Sequence, residues 1–253
     1  MTSTPHHAYG KVYLIGAGPG AADLITVRGA RLLARADVVL HDALVTQDML
    51  ALCSQAVKIP VGKRCGQLST AQAFINRQLV DCAAKYALVV RLKGGDPMLF
   101  GRADEELTAL ESEGIAVEVV PGITAALAAA ASTRQPLTKR GVSRSVAFFT
   151  SSTAPDHPDR QALPDTDTLV QYMGGKEAAA TARRLMTQGR SPATPVVVVE
   201  NCSRENERIV RLRLADLEVG LTAASGPVLV MIGEALALRD SQKLVQDLID
   251  RAA

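Results

Sequence analysis

A short, mostly apolar run, Lys11 to Ile15 (KVYLI), stops at Gly16-Ala17-Gly18-Pro19-Gly20. Leu24 to Ala36 then carries its apolar residues at helical spacing. The pattern predicts a strand, a tight loop and a helix. It returns further on: Asp37 to Leu40 ends at His41-Asp42, Leu88 to Leu92 at Lys93-Gly94-Gly95-Asp96-Pro97, and Val117 to Val120 at Pro121-Gly122. Each run is followed by a stretch of helical spacing. Strands alternating with helices predict a mainly parallel sheet covered on both faces, in which ligands gather beyond the carboxyl ends of the strands. The glycine-rich ends are therefore expected on one rim.

After Gln135-Pro136-Leu137-Thr138-Lys139-Arg140-Gly141 the rhythm changes. Strands are predicted at Ser145 to Thr150, Thr168 to Tyr172, Pro195 to Glu200, Glu207 to Leu214 and Pro227 to Ile232, with one clear helix over Lys176 to Gln188. Consecutive strands late in the chain point to a mixed sheet. The fold class expected is α/β, with a tail over 1–9, an N-terminal α/β domain over 10–136 and a C-terminal α/β domain over 137–253. The boundary falls near 134–144, and a ligand cleft is expected between the domains. Ser151 to Thr166, rich in proline and aspartate, reads as a surface loop. No solenoid-scale repeat is found.

Composition narrows the function. With 253 residues, 47% hydrophobic and 21% charged, the chain is too apolar to be disordered. A net charge of +2 gives no general footprint for nucleic acid or an anionic membrane, and 3% aromatic residues without Trp make a base-stacking platform a poor reading. No apolar run approaches the roughly 18 to 20 residues that cross a bilayer. The opening MTSTPHHAYG lacks the apolar core of a secretory signal, so a cytoplasmic location is expected. Cys53, Cys65, Cys82 and Cys202 form no Cys-x-x-Cys pair and read as reduced thiols. With His6, His7, His41 and His157 scattered, no metal spacing appears.

Two glycine clusters carry the chemistry. Gly16-x-Gly18-x-x-Ala21, with Asp42 at the end of the next strand, fits a dinucleotide fingerprint, but Pro19 removes a backbone N–H where a pyrophosphate would be cradled. No Gly-Lys-Ser/Thr follows, so this is not a P-loop. In Lys93-Gly94-Gly95-Asp96-Pro97 the glycines let backbone approach a ligand. There Asp96 is suited to an ammonium and the glycine N–H groups to a carboxylate, as in a zwitterionic nucleoside. An ordinary turn is the plain alternative.

Seven segments in order resemble the tetrapyrrole methylase family over about residues 10 to 240. They are Gly16-Ala-Gly-Pro-Gly20, Val61-Gly-Lys-Arg64, Val90-Arg-Leu-Lys-Gly-Gly-Asp-Pro97, Phe100-Gly-Arg102, Val119-Val-Pro-Gly-Ile-Thr124, Gln171-Tyr-Met-Gly174 and Val199-Glu-Asn201. The resemblance is nearest to the members that methylate uroporphyrinogen III to precorrin-2, towards sirohaem, cobalamin and haem d1. It implies a homodimer that uses S-adenosylmethionine and releases S-adenosylhomocysteine, and composition leaves neither nucleic acid nor membrane as an expected partner. Cofactor contacts are implied at Pro19, Gly94, Gly95, Asp96, Leu99, Thr124, Ala125, Met173 and Cys202. Asp42 is implied as proton acceptor and Lys63 as proton donor, while Arg102, Glu105 and Arg140 hold the substrate's carboxylates or move protons.

Each of these residues has a plainer reading. Asp42 would cap a helix over Ala43 to Leu52, Lys63 and Arg64 would be a solvated pair, and Arg102 with Glu105 an i,i+3 helix pair. Lys139-Arg140 would be linker charge and Met173 core, with Cys202 a contact through its backbone alone. The sequence departs from the family pattern at Ala21, Ala43, Leu68, Ala73-Phe74, Lys139, Ser151 and Ser152, positions that bear on the tetrapyrrole more than on the cofactor. A later precorrin as substrate, a nicotinamide-dependent oxidoreductase and a non-catalytic tetrapyrrole-binding homologue stay open beside the first reading.

Overall fold

The computed structural model describes residues 9–61, 68–151, 162–221 and 226–239. The chain parts into two compact units between Ala125 and Ala126, ahead of the 134–144 stretch marked by composition.

The first unit holds a parallel sheet of β1 (Lys11–Gly16), β2 (Val38–His41), β3 (Val57–Pro60), β4 (Leu88–Lys93) and β5 (Val117–Val120), in the order β3-β2-β4-β1-β5. Side-chain alternation along the strands sorts its core into two layers. Val12, Leu14, Val38, Leu40 and Val89 pack with α3 (Leu68–Ala83) and α4 (Ala103–Ser112). Ile15, Val39, Val90 and Leu92 pack instead with α1 (Val27–Leu33) and α2 (Gln47–Ala51). The chain leaves β1 by way of α1 towards β2, and leaves β4 by way of α4 towards β5. The connections from these two neighbouring strands thus depart on opposite faces. Such a switch point opens a crevice beyond the carboxyl ends, here at Gly16 and Lys93.

Local chemistry sets the helix starts. The Thr26 hydroxyl accepts from Gly29 N at 3.1 Å and caps α1, and the Thr46 hydroxyl accepts from Met49 N at 3.4 Å and caps α2. The cap of α2 is therefore Thr46 and not Asp42. Residues 43–46 form a turn, closed by Val45 N on Asp42 O at 3.2 Å.

The second unit holds a mixed sheet, β6 (Val146–Thr150), β7 (Thr168–Tyr172), β8 (Pro195–Glu200), β9 (Arg208–Arg213) and β10 (Val228–Ile232), ordered β6-β7-β10-β8-β9. Only the β6–β7 pair is parallel. One face packs Leu169, Val196, Val198, Val228, Val230 and Ile232 against α6 (Ala178–Thr187) and α7 (Leu214–Leu217). All but the first residue of α5 (Ala125–Thr133) belongs to this unit, where Ala126 N donates to the Tyr172 hydroxyl at 3.1 Å. The parallel first sheet and the mixed second sheet are the ones the hydrophobic pattern predicts. Among the described residues, no helix is long and apolar enough to cross a membrane.

Candidate active site

The loops that end β1 and β4 are one structure. Gly18 N donates to Gly95 O at 3.1 Å and Gly95 N returns a bond to Gly18 O at 2.7 Å. The end of β5 presses against both. A Cβ on Gly16 would stand 2.5 Å from Gly122 Cα and 2.7 Å from Gly95 O, and one on Gly122 would meet Gly95 O. Backbone meets backbone here, so only glycine fits. Asp96 staples the assembly: Oδ1 accepts from Met98 N at 2.8 Å and Oδ2 from Gly122 N at 2.9 Å. Sequence reading gave Asp96 an ammonium partner; the structure gives its carboxylate a loop-holding task. From the α2 side, the Thr46 hydroxyl donates to Gly20 O at 3.1 Å.

One side of this assembly is open. Gly95 has φ of +69°, and nothing lies within 4 Å of the place its Cβ would take. Pro19, Gly94, Asp96 and Leu99 are half-buried around it. Downstream, Phe100 and Arg102 both hold φ of +54°, a conformation that L-residues adopt at a cost and that clusters at functional loops.

A chain of charges lies beneath the rim. Arg91 and Lys93 share a face of β4 with Val89, so both enter the α3–α4 layer, where each side chain is 3% exposed. Glu106, on the first turn of α4 and fully buried, accepts from Arg91 Nε at 2.9 Å and from Lys93 Nζ at 2.8 Å. Arg91 Nη1 donates to Leu92 O at 3.2 Å, and Nη2 reaches Asp42 Oδ1 at 2.5 Å. Asp42 follows β2 by one residue, its carboxylate 30% exposed. The sequence order Val-Val-Arg-Leu-Lys, with charge at alternate places in a central strand, carries this signal beyond its match to the family motif.

Burial works against the charge of Arg91, but Asp42 and Glu106 outweigh it and hold the guanidinium above its ordinary value. Burial pushes the Lys93 ammonium below the ordinary lysine value; Arg91 beside it pushes the same way, and Glu106 opposes them.

The other expected residues sit as follows. Arg102 and Glu105 form a bidentate pair at 2.6 and 2.7 Å, both exposed, as the i,i+3 alternative has it. Thr124 and Ala125 stand where the loop after β5 enters α5, and are half-buried. In the second unit, Arg140 lies exposed in a turn whose ends, Lys139 and Ser143, pair through their backbones. Met173 follows β7 at φ of +56° and is 54% exposed, so it is not core. Cys202 follows β8 and is buried; burial, then Glu207, pushes its thiol up to about 12. Lys63 and Ser152 lie outside the described residues. Among the described residues no group of three or more His, Cys, Asp or Glu could hold a metal ion.

The dinucleotide reading loses its footing. A 3-10 turn over Ala22–Leu24 separates the glycines from α1, which starts only at Val27, so no helix N-terminus opens directly from the loop. Asp42, its acidic partner, is held by Arg91.

Residues 11–218 match the tetrapyrrole (corrin/porphyrin) methylases. The chain belongs to this family. Siroheme synthase 1 of Yersinia pseudotuberculosis is 45% identical over 237 residues, which are 92% of this chain and 50% of that protein. This methylase thus spans about half the length of the curated relatives it matches. Among solved structures, uroporphyrin-III C-methyl transferase from Thermus thermophilus, complexed with S-adenyl homocysteine, is 38% identical with a TM-score of 0.81. That match covers 92% of this chain and 97% of the other. A cobalamin biosynthetic enzyme, cobalt precorrin-4 methyltransferase, is 29% identical with a TM-score of 0.76, covering 94% of this chain and 100% of that one.

Proposed function

We propose that this tetrapyrrole methylase moves methyl groups from S-adenosylmethionine to carbon atoms of uroporphyrinogen III, forming precorrin-2. The observation that carries the reading is the junction of Gly16, Gly18, Gly95 and Gly122 at the switch point of the parallel sheet. Its open side at Gly95 suits a ligand approached closely by backbone. The similarity to a uroporphyrin-III C-methyl transferase complexed with S-adenyl homocysteine supports the choice of ligand.

When bound, the sulfonium supplies an already activated methyl group, whose bond to sulfur breaks as the new carbon–carbon bond forms. The chain's own residues then have two tasks. Pro19, Gly94, Gly95, Asp96, Leu99, Thr124 and Ala125 bind and orient; the resemblance adds Met173, and Cys202 through its backbone. Asp42 takes the proton that the tetrapyrrole sheds, and Lys63 returns one. Arg102, Glu105 and Arg140 hold acetate and propionate groups, for which the planar Arg fork is suited. Assembly as a homodimer is part of the proposal, and a monomer in sedimentation equilibrium would count against it.

The test is an anaerobic incubation with methyl-labelled S-adenosylmethionine and enzymatically generated uroporphyrinogen III. Two labels per tetrapyrrole are expected. Asp42→Ala should lower turnover by roughly a hundredfold while S-adenosylhomocysteine binds within about twofold of wild type. Label entering only a later precorrin would overturn the substrate assignment in favour of the second reading, which the likeness to cobalt precorrin-4 methyltransferase supports.

A further inference from the structure

We propose that Arg91 is a positioning residue that aims Asp42 at the substrate, and that Glu106, Lys93 and Gln72 exist to hold Arg91. The inference rests on the reading that Asp42 acts on the tetrapyrrole. It starts from a cost. Ions inside an apolar layer gain little over well-packed hydrophobic residues of the same size, so stability alone gives no reason for Arg91, Lys93 and Glu106 to lie between Val89, Leu14 and Leu40.

The geometry shows where the cluster leads. Register sets Arg91 beside Leu14 on one side and Leu40 on the other, in the middle of the sheet. Each guanidinium nitrogen has its own acceptor: Nε has Glu106, Nη1 has Leu92 O and Nη2 has Asp42. The plane of the fork is therefore determined. Glu106 is held in turn by Lys93 at 2.8 Å and by Gln72 Nε2 at 3.5 Å. Gln72 also donates to Asn76, whose amide reaches Glu105 O at 3.0 Å. The orientation of Arg91 is thus transmitted from α3 and α4, and its only exposed beneficiary is Asp42. Arg91 and Lys93 are two cations against one buried anion, and the Asp42 carboxylate supplies the second negative charge. With Oδ1 taken by Arg91, Oδ2 is the oxygen without a protein donor among the described residues, and it faces the remaining task.

Arg91→Lys keeps the charge and removes the fork. It should lower kcat roughly ten- to a hundredfold, the scale of a displaced reacting group, with KM for S-adenosylmethionine nearly unchanged. In an Asp42→Asn background the same change should cost less than about twofold, since a residue acting through Asp42 has nothing left to position. Equal fold-losses in both backgrounds would overturn the proposal. A second measurement needs neither turnover nor a folded Arg91 variant. In 15N spectra of the otherwise intact protein, Asp42→Asn should shift the Arg91 Nη signals; unmoved signals would also overturn it. If wild type transfers no methyl group to uroporphyrinogen III, the proposed function falls and the positioning role with it, while this spectroscopic arm still tests the Arg91–Asp42 contact. If Asp42→Asn leaves turnover intact, it is the assignment of Asp42 that fails.

Discussion

The central strands of the two sheets, β4 and β10, occupy comparable places and differ in kind. β10 reads Val-Leu-Val-Met-Ile and is apolar throughout, while β4 reads Leu-Val-Val-Arg-Leu-Lys and carries two cations into its core. In the second unit charge is moved outward to the edge strand β9, where Arg208, Arg211 and Arg213 are exposed between half-buried apolar residues. The second sheet buries one carboxylate, Glu200 at the end of β8, paired with Arg208 of the edge strand, while its central strand carries no charge. Under the proposed function the ions of β4 lie beneath the rim assigned to the substrate, where a buried charge holds a group in place at little gain in stability.

The comparison can be broken most severely at the glycines. Gly16→Ala sets a Cβ against the backbone of Gly122 and should destabilise the first unit by about 4 kcal/mol or more, with cofactor binding lost. Gly175→Ala, whose new Cβ would meet only Val228 at an ordinary 3.4 Å, should stay within about 1 kcal/mol in the same denaturant titration. Removing one partner of the buried cluster comes next. Glu106→Leu leaves Arg91 and Lys93 facing an apolar side chain and should cost about 3 to 5 kcal/mol, whereas Asp216→Asn, in the exposed pair with Arg213, should leave the unfolding midpoint where it was.

Gly95→Val tests the open side of the junction. A β-branched residue at φ of +69° fills the space where backbone meets ligand, so S-adenosylhomocysteine affinity should fall by roughly a hundredfold while the second unit keeps its hydrogen-exchange protection. Undiminished affinity would remove this loop from the site.

At neutral pH the smallest expected effect on stability is at Cys202. Its thiol ordinarily ionises near 9.0 and is pushed up to about 12 when folded. Between these values the unfolded chain loses a proton that the folded chain keeps. Stability should therefore be unaffected below about pH 9 and fall as pH rises towards 12, and Cys202→Ala should lessen that fall. At pH 8 its alkylation should run about a thousandfold slower than that of an exposed thiol, from ionisation alone. Rapid labelling of Cys202 in the folded protein would contradict its burial against Glu207.

Much of this was legible in the chain. β7 and β8 lie at the residues where the predicted runs lie, because strands buried on both faces are largely apolar, and β5 matches too although it is a half-buried edge strand. β3 escapes the pattern: Val57, Lys58 and Pro60 are exposed on the sheet edge, so nothing in Val-Lys-Ile-Pro demands burial. α2 starts at Gln47 rather than at Ala43, because the hydroxyl of Thr46 competes successfully for the first free N–H groups. Of the site, the glycine loops were visible as motifs. The Arg102–Glu105 pair was visible as helical spacing, while Met173, implied as a cofactor contact with core as its plainer reading, lies exposed.

The order of residues by itself determined the α/β class, the parallel and mixed sheets and the glycine-bearing strand ends, since alternation and turn chemistry are local properties of a chain. Tertiary structure alone decided that Gly16, Gly95 and Gly122 share one contact, that Asp96 staples it, and that Arg91 reaches Asp42 with Glu106 behind it. These pairings join residues many positions apart. They depend on strand order and on the depth at which α4 sits against the sheet, and neither quantity is written in any short stretch of sequence.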